Sequence, residues 1–342
     1  MKSYSWQFDR YGKPSEELNW REEDLPEPGP GEALVKIQMI GMNRSEYNFV
    51  QGQYFSAKQF PSRIGTESVV EILALGPPLD DGSELINCAK LEVGARVATM
   101  ALGLDESAMG VYRDIGIYPQ SVLVPVPESY SDEEGAAFWM AVLTMGGAME
   151  MAGFSADNAA GKNVLITAGA SGMGVIALKL ANHWGAKTIA TTRNAAKALE
   201  LGSVADHVIV CNNSESLVEG VRNITSDEGV HLAIDPVGAA FYPGLLEVIN
   251  QGGDIVSYEC MAGAQANISI MDMMLKDVRF HGYTIYRLLS NPPLLNQLIQ
   301  LGLDNADAIR PVISQCFNLS DAPQALETLG QSEHLGKIVI KP

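Results

Sequence analysis

The order of apolar and polar positions changes character near residue 130. Before that point short runs stand between Gly and Pro breaks. Residues 33–39 (ALVKIQM) alternate apolar and polar as a half-buried strand does, and 69–75, 95–100 and 121–126 read as further strands. Many short strands with such breaks predict a distorted barrel. Beyond that point, Ser131-Asp132-Glu133-Glu134 reads as a capping box with acids in the first turn, opening a helix through Ala136, Ala137, Ala141, Val142 and Ala148. Strand-like runs recur at 164–167, 188–192, 208–211, 232–235 and 254–257, with helical spacing between them. That alternation predicts a doubly wound parallel sheet. A helical stretch at 289–306 and a last strand at 337–340 are too small to fold alone and are expected to return to the first domain. The expected class is therefore α/β, with a β-rich domain of residues 1–130 completed by 271–342 and a parallel-sheet domain of 131–270.

The most informative stretch lies inside the second texture. The run Val164, Leu165, Ile166, Thr167 leads into a loop of small residues, 168–174, and from Val175 apolar positions recur at helical spacing to Trp184, before Gly185 and a second strand-like run. Strand, loop, helix and parallel strand make a dinucleotide-binding unit. Its small side chains let the backbone approach a diphosphate, and free N–H groups at the helix start receive the charge. The loop reads Gly169-Ala170-Ser171-Gly172-Met173-Gly174, with Ser171 where the GxGxxG fingerprint has its second glycine. Cofactor contacts are expected from Ala170, Ser171, Gly172, Met173, Gly174 and Val175. At the end of the second strand, where a free ribose 2′-OH meets an acid, the chain has Thr192, Arg193 and Asn194, with Lys197 one turn on. Cations there match an added phosphate, so the expected cofactor is NADPH rather than NADH, held by Thr192, Arg193 and Lys197.

Composition narrows the partners. The chain has 342 residues, 46% of them hydrophobic, enough for two domains with sizeable cores. A net charge of -18 argues against nucleic acid or an anionic membrane surface as a partner. Cys88, Cys211, Cys260 and Cys316 lie far apart and form no CxxC pair, and His183, His207, His231, His281 and His334 show no paired metal spacing. No apolar run reaches membrane-spanning length, and the amino terminus lacks a signal-peptide core. A cytoplasmic protein is expected.

The ordered set of a β-rich amino-terminal unit, Asp132-Glu133-Glu134-Gly135-Ala136-Ala137, the loop AGASGMG, the turn Asp235-Pro236-Val237-Gly238, Gly252-Gly253 and the terminal Gly336-Lys337-Ile338-Val339-Ile340 resembles the medium-chain dehydrogenase/reductase superfamily. Within it the chain is similar to the zinc-independent quinone oxidoreductase and enoyl reductase branch. The resemblance implies a GroES-like catalytic domain, a Rossmann domain and a homodimer. The zinc branch of that superfamily carries a Cys in Gly-x-Cys-Gly-Thr-Asp and a His in Gly-His-Glu. Here the matching stretches read Gly41-Met42-Asn43-Arg44-Ser45-Glu46 and Gly65-Thr66-Glu67, so Asn43 and Thr66 replace both ligands. Neither side chain is a good zinc ligand, and no metal is expected.

A reductase without a Lewis acid suits acceptors that delocalise the incoming charge. Hydride added at the β-carbon of a conjugated carbonyl develops charge on an enolate oxygen, which hydrogen-bond donors can stabilise. The expected substrate is therefore a quinone or an α,β-unsaturated carbonyl compound. The stretch from Asn43 to Tyr54 resembles the enoyl reductases' Asn-Pro-x-Asp…Gly-x-Tyr pattern, in which the tyrosine is a proposed proton donor; Arg44 and Glu46 depart from it. Tyr54, whose unperturbed phenol has a pKa of about 10, is the candidate acid or oxyanion donor, or else a wall of the substrate pocket. Position in the family implies that Asn43 and Thr144 lie near the nicotinamide and that Lys337 faces the cofactor, and Pro236, Val237 and Gly238 are expected to line the cofactor at a sheet carboxyl end. A trans-2-enoyl thioester reductase and a non-catalytic NADPH-binding protein are the alternatives.

Overall fold

The computed structural model describes residues 1–53, 55–79 and 90–342. Tyr54 and Cys88 lie outside the described residues. Two compact units divide the chain: Met1–Met140, Leu288–Leu303 and Pro311–Pro342 form one, and Ala141–Arg287 with Asp304–Arg310 form the other.

In the first unit, β1 (Lys2–Gln7) and β2 (Asn19–Asp24) make an antiparallel ribbon. Then come β3 (Glu32–Gly41), β4 (Glu67–Leu75), β5 (Arg96–Thr99), β6 (Ile115–Pro119) and β7 (Leu123–Pro125). In the second unit the strands are β8 (Asn163–Ile166), β9 (Lys187–Thr192), β10 (His207–Val210), β11 (Val230–Asp235), β12 (Ile249–Ser257) and β13 (Arg279–Gly282), before β14 (Ile313–Asn318) and β15 (Lys337–Lys341) return to the first. The sheet order β14-β15-β3-β4-β5-β7, with β6 on β3, joins the carboxy-terminal strand to the amino-terminal barrel. Val339 pairs with Gly41 and Ile340 with Ile40 in that closure.

The helices are α1 (Pro14–Glu17), α2 (Arg44–Val50), α3 (Glu106–Met109), α4 (Asp132–Ala136), α5 (Trp139–Met151), α6 (Gly172–His183), α7 (Ala195–Leu201), α8 (Ser214–Thr225), α9 (Tyr242–Val248), α10 (Ile270–Lys276), α11 (Pro292–Asp304) and α12 (Ala322–Gln331). The capping box forms as read: the Ser131 N–H donates to Glu134 Oε2 at 2.9 Å and the Glu134 N–H to Ser131 Oγ at 3.3 Å. The single helix expected beyond it breaks at Ala137 into α4 and α5. Residues 120–122 form a 3-10 turn rather than the start of a strand.

The second sheet has the order β10-β9-β8-β11-β12-β13, all parallel. Its central strands β8 and β11 are buried on both faces, and Leu165, Ile189, Ala233 and Ile255 share a core with Leu217, Val221 and Leu245 from α8 and α9. Residues 271–287, expected with the barrel, belong to this unit, because β13 adds to the sheet edge beside β12. The order reverses between β8 and β11, and the crevice outside their carboxyl ends is where such sheets take ligands. In the barrel, Gly41 is required by contact: a Cβ there would stand 1.7 Å from the Ala136 carbonyl oxygen.

Candidate active site

The loop after β8 is built without room for side chains. Ala168 turns the chain with φ of +48°. A Cβ on Gly169 would lie 2.8 Å from Ala190 Cβ of β9, and one on Gly174 would lie 2.7 Å from both Gly169 Cα and its oxygen. Helix α6 therefore rests directly on the loop, and the loop on β9. Ser171 is the N-cap of α6, its Oγ accepting the Gly174 N–H at 3.0 Å. The Gly172 and Met173 N–H groups, in the first turn of α6, have no acceptor among the described residues. Free donors at the positive end of a helix, with the side chains cleared away, fit a diphosphate. Val175 contributes differently from expectation: it is buried, and its N–H donates to the Ser171 carbonyl, so it packs the core behind the loop.

The expected phosphate cations lie at the end of β9 and the start of α7. Thr192 is buried, and its hydroxyl accepts the Asn194 N–H at 3.2 Å; Arg193 is exposed, whereas Lys197 on α7 is buried. Across the switch point Asp235, fully buried at the end of β11, accepts from the Thr167 hydroxyl and, at 2.7 Å, from the Gly238 N–H. Burial pushes the Asp235 carboxyl up while the Thr167, Gly238 and Val237 donors pull it down. This carboxylate fixes the Pro236-Val237-Gly238 turn to the strand that carries the phosphate loop. Thr144 sits buried on α5 in the same unit.

The barrel unit holds the other constellation. Asn43 precedes α2, and its N–H donates to Glu46 Oε2 at 3.1 Å. The Lys337 ammonium, reaching in from β15, donates to Asn43 Oδ1 at 2.6 Å, to the Met42 carbonyl at 3.0 Å and to Glu67 Oε2 at 3.0 Å. The other Glu67 oxygen accepts the Met140 N–H at 2.8 Å. Three N–H groups meet three acceptors, so Lys337 acts through Asn43 and Glu67 rather than by reaching outward to a cofactor. Glu46, fully buried, accepts from the Tyr112 hydroxyl at 2.8 Å and from the Thr66 N–H at 3.3 Å. Burial pushes the Glu46 carboxyl up, and the Asn43 N–H and the Tyr112 hydroxyl oppose it. Arg44 ties α2 to the end of α12, donating to the Gly330 carbonyl at 2.9 Å and to the Ser332 hydroxyl.

This constellation does not fit a catalytic zinc. Asn43 and Thr66 stand at the two ligand positions, and the Glu67 carboxylate already has a fixed ammonium on it. Among the described residues no three His, Cys, Asp or Glu side chains group as a metal-holding set. Sequence reading missed Glu46 and Tyr112, and for Asp235 it gave a structural role without its partners.

A GroES-like barrel completed by the chain's end and a Rossmann sheet with a diphosphate cradle define a nucleotide-dependent dehydrogenase or reductase. Two family models match accordingly: the alcohol dehydrogenase GroES-like domain over residues 29–128 and the zinc-binding dehydrogenase over 172–301. The chain is 26% identical to a quinone oxidoreductase of Pseudomonas aeruginosa, over 98% of each chain. It is 24% identical to an acryloyl-coenzyme A reductase of Sulfurisphaera tokodaii, over 96% of this chain and 98% of that one. Its fold matches a mycobacterial protein solved in complex with NADPH, at a TM-score of 0.85 and 24% identity over 99% of this chain and all of the other. The chain belongs to the medium-chain dehydrogenase/reductase superfamily, in its quinone oxidoreductase and enoyl reductase branch.

Proposed function

We propose that this protein is an NADPH-dependent, zinc-independent reductase of quinones and of double bonds conjugated to a carbonyl. The observation that carries the reading is the cleared N-terminus of α6, with two unengaged N–H groups and Arg193 and Lys197 following β9. Bound NADPH supplies the hydride. The N–H groups of Gly172 and Met173 take its diphosphate, and Arg193 and Lys197 take the additional phosphate. Pro236, Val237, Gly238 and Thr144 line the nicotinamide side.

In the barrel unit Lys337 and Glu67 fix the Asn43 amide, whose oxygen faces the ammonium. Among the described residues of that unit, none polarises an isolated ketone as a metal would. A conjugated acceptor spreads the incoming charge onto one oxygen, and a neutral donor is sufficient to hold it. Tyr54 is that donor and afterwards the proton source.

The test is consumption of NADPH, followed at the nicotinamide absorbance, with 9,10-phenanthrenequinone and with crotonyl-CoA as acceptors. Turnover of the quinone supports the reading. Turnover of crotonyl-CoA alone replaces it with an enoyl thioester reductase, and binding of NADPH without turnover of either makes the chain a binding protein. Stoichiometric zinc required for activity would overturn the metal-free assignment.

The protein is further read as a cytoplasmic homodimer. Cys211, Cys260 and Cys316 are free thiols, as in a reducing compartment, and no helix among the described residues is long and apolar enough to cross a membrane. Strand β13 is a sheet edge, and nearby α10 exposes Ile270, Met271, Met274 and Leu275 at 66%, 62%, 67% and 70%. An apolar helix beside an unpaired strand edge suits burial against a second copy. Sedimentation velocity of the protein and of a Met274→Glu variant tests this; a monomer in both overturns it.

A further inference from the structure

Helix α5 carries a glycine that its own stability does not ask for. Glycine inside a helix is disfavoured against alanine, yet Gly147 lies in the interior of α5. The reason stands across from it. A Cβ on Gly147 would lie 2.0 Å from the Tyr283 hydroxyl oxygen, 2.6 Å from Cζ and 2.9 Å from Cε2 of the same ring. The missing side chain leaves a notch in the helix, and the Tyr283 phenol, 2% exposed, fills it.

From the notch the Tyr283 hydroxyl donates to the Leu143 carbonyl at 2.9 Å, one helical turn before Gly147. Tyr283 is the first residue after β13, and its N–H donates to the carbonyl of Ser257, the last residue of β12, at 2.8 Å. The backbone and the side chain of one residue thereby join the carboxyl ends of two strands to the middle of α5. A ring seated against Gly147 and bonded at Leu143 resists both rolling of the helix about its axis and sliding along it. Burial raises the pKa of the phenol, which keeps it a donor at working pH.

Thr144 follows Leu143, about 100° further round the helix. Ligands of a doubly wound sheet bind outside the carboxyl ends of its strands, and that is the end at which this bond holds the Leu143–Thr144 turn. We infer that Tyr283 is a positioning residue for hydride transfer: through the Leu143 carbonyl it sets the roll of α5, and with it the direction in which Thr144 meets the nicotinamide. The inference rests on the reading above that puts Thr144 on the nicotinamide side of bound NADPH.

Tyr283→Phe removes the hydroxyl and leaves the ring in the notch, so α5 stays packed. Single-turnover oxidation of NADPH by 9,10-phenanthrenequinone, or by crotonyl-CoA where only that is reduced, reads the hydride step apart from product release. Its rate in Tyr283→Phe is expected to fall about three- to tenfold, as for one lost uncharged hydrogen bond, with the NADPH dissociation constant within about twofold of wild type. Thr144→Ala is expected to lose at least as much. Adding Tyr283→Phe to Thr144→Ala should cost nothing more, because no hydroxyl is left to position. A wild-type rate in Tyr283→Phe with only a lower Tm, or losses that multiply in the double variant, would overturn the inference and leave the reductase reading in place. A wild-type rate in Thr144→Ala would overturn it too, by removing the group to be positioned. Wild-type protein that binds NADPH and reduces neither acceptor would overturn the reductase reading itself, and this inference with it.

Discussion

Replacing Glu106 with glutamine isolates the electrostatics of the carboxylates buried in the barrel. The Glu106 carboxyl accepts one hydrogen bond, from the Gly65 N–H at 2.9 Å. Burial, then the charge of Glu46, raises its pKa from 4.5 to about 8. A carboxyl raised in this way holds its proton in the folded protein and releases it on unfolding at intermediate pH. Its favourable contribution is full below the unfolded value, declines as pH rises, and is lost once pH passes through the folded value. At about 1.36 kcal/mol per unit, the rise from 4.5 to about 8 sets a ceiling near 5 kcal/mol on that decline. Glutamine keeps the oxygen for Gly65 and carries no charge. Glu106→Gln should therefore match wild type near pH 5 and exceed it in the alkaline range, by roughly 5–15 °C in Tm for a unit of this size. Thermal unfolding at pH 5, 7 and 9, followed by tryptophan fluorescence, reads the barrel directly, since Trp6, Trp20 and Trp139 of the four tryptophans lie in it. Parallel Tm curves for the two proteins across that range would refute the reasoning.

Arg193→Ala should weaken NADPH about tenfold or more while leaving NADH nearly unchanged in parallel titrations, because one charge-assisted phosphate contact is lost; equal losses would remove Arg193 from the phosphate site. Tyr54→Phe should lower turnover and leave the NADPH dissociation constant near wild type, and unchanged turnover in steady-state kinetics would reduce Tyr54 to a pocket wall. Lys337→Met leaves the 1%-exposed Glu67 without its cation and should cost about 3–5 kcal/mol in urea unfolding. Lys337→Met with Glu67→Gln should recover most of that loss, and a double variant no better than the single would show that the pair is not coupled.

What was legible in the sequence was local. The phosphate loop, the capping box at Ser131 and the strand runs of the parallel sheet each lie within about ten residues of chain, where periodicity and turn chemistry act. The helix expected from 131 to 148 broke because the run is apolar throughout: Ala137, Phe138 and Trp139 are fully buried, and no polar face marks where one helix stops and the next begins. What stayed hidden was convergence. Lys337 meets Asn43 across 294 residues and Glu67 across 270, and only the pairing of β15 with β3 brings them together. Nothing in the local pattern distinguishes a strand-end lysine in solvent from one 5% exposed.

The Lys337 placement also bears on which reaction the fold supports. A carboxylate facing an open metal position is a ligand in waiting, but Glu67 is neutralised from within the barrel by an ammonium that also grips Asn43. A second cation brought beside it would meet a fixed positive charge within a few ångströms, in surroundings where water screens little. On the metal-free reading proposed above, electrostatics adds to the want of thiolate and imidazole at positions 43 and 66 in disfavouring a Lewis acid. Stabilising a developing negative charge is then left to neutral donors, which suits acceptors that spread the charge over several atoms.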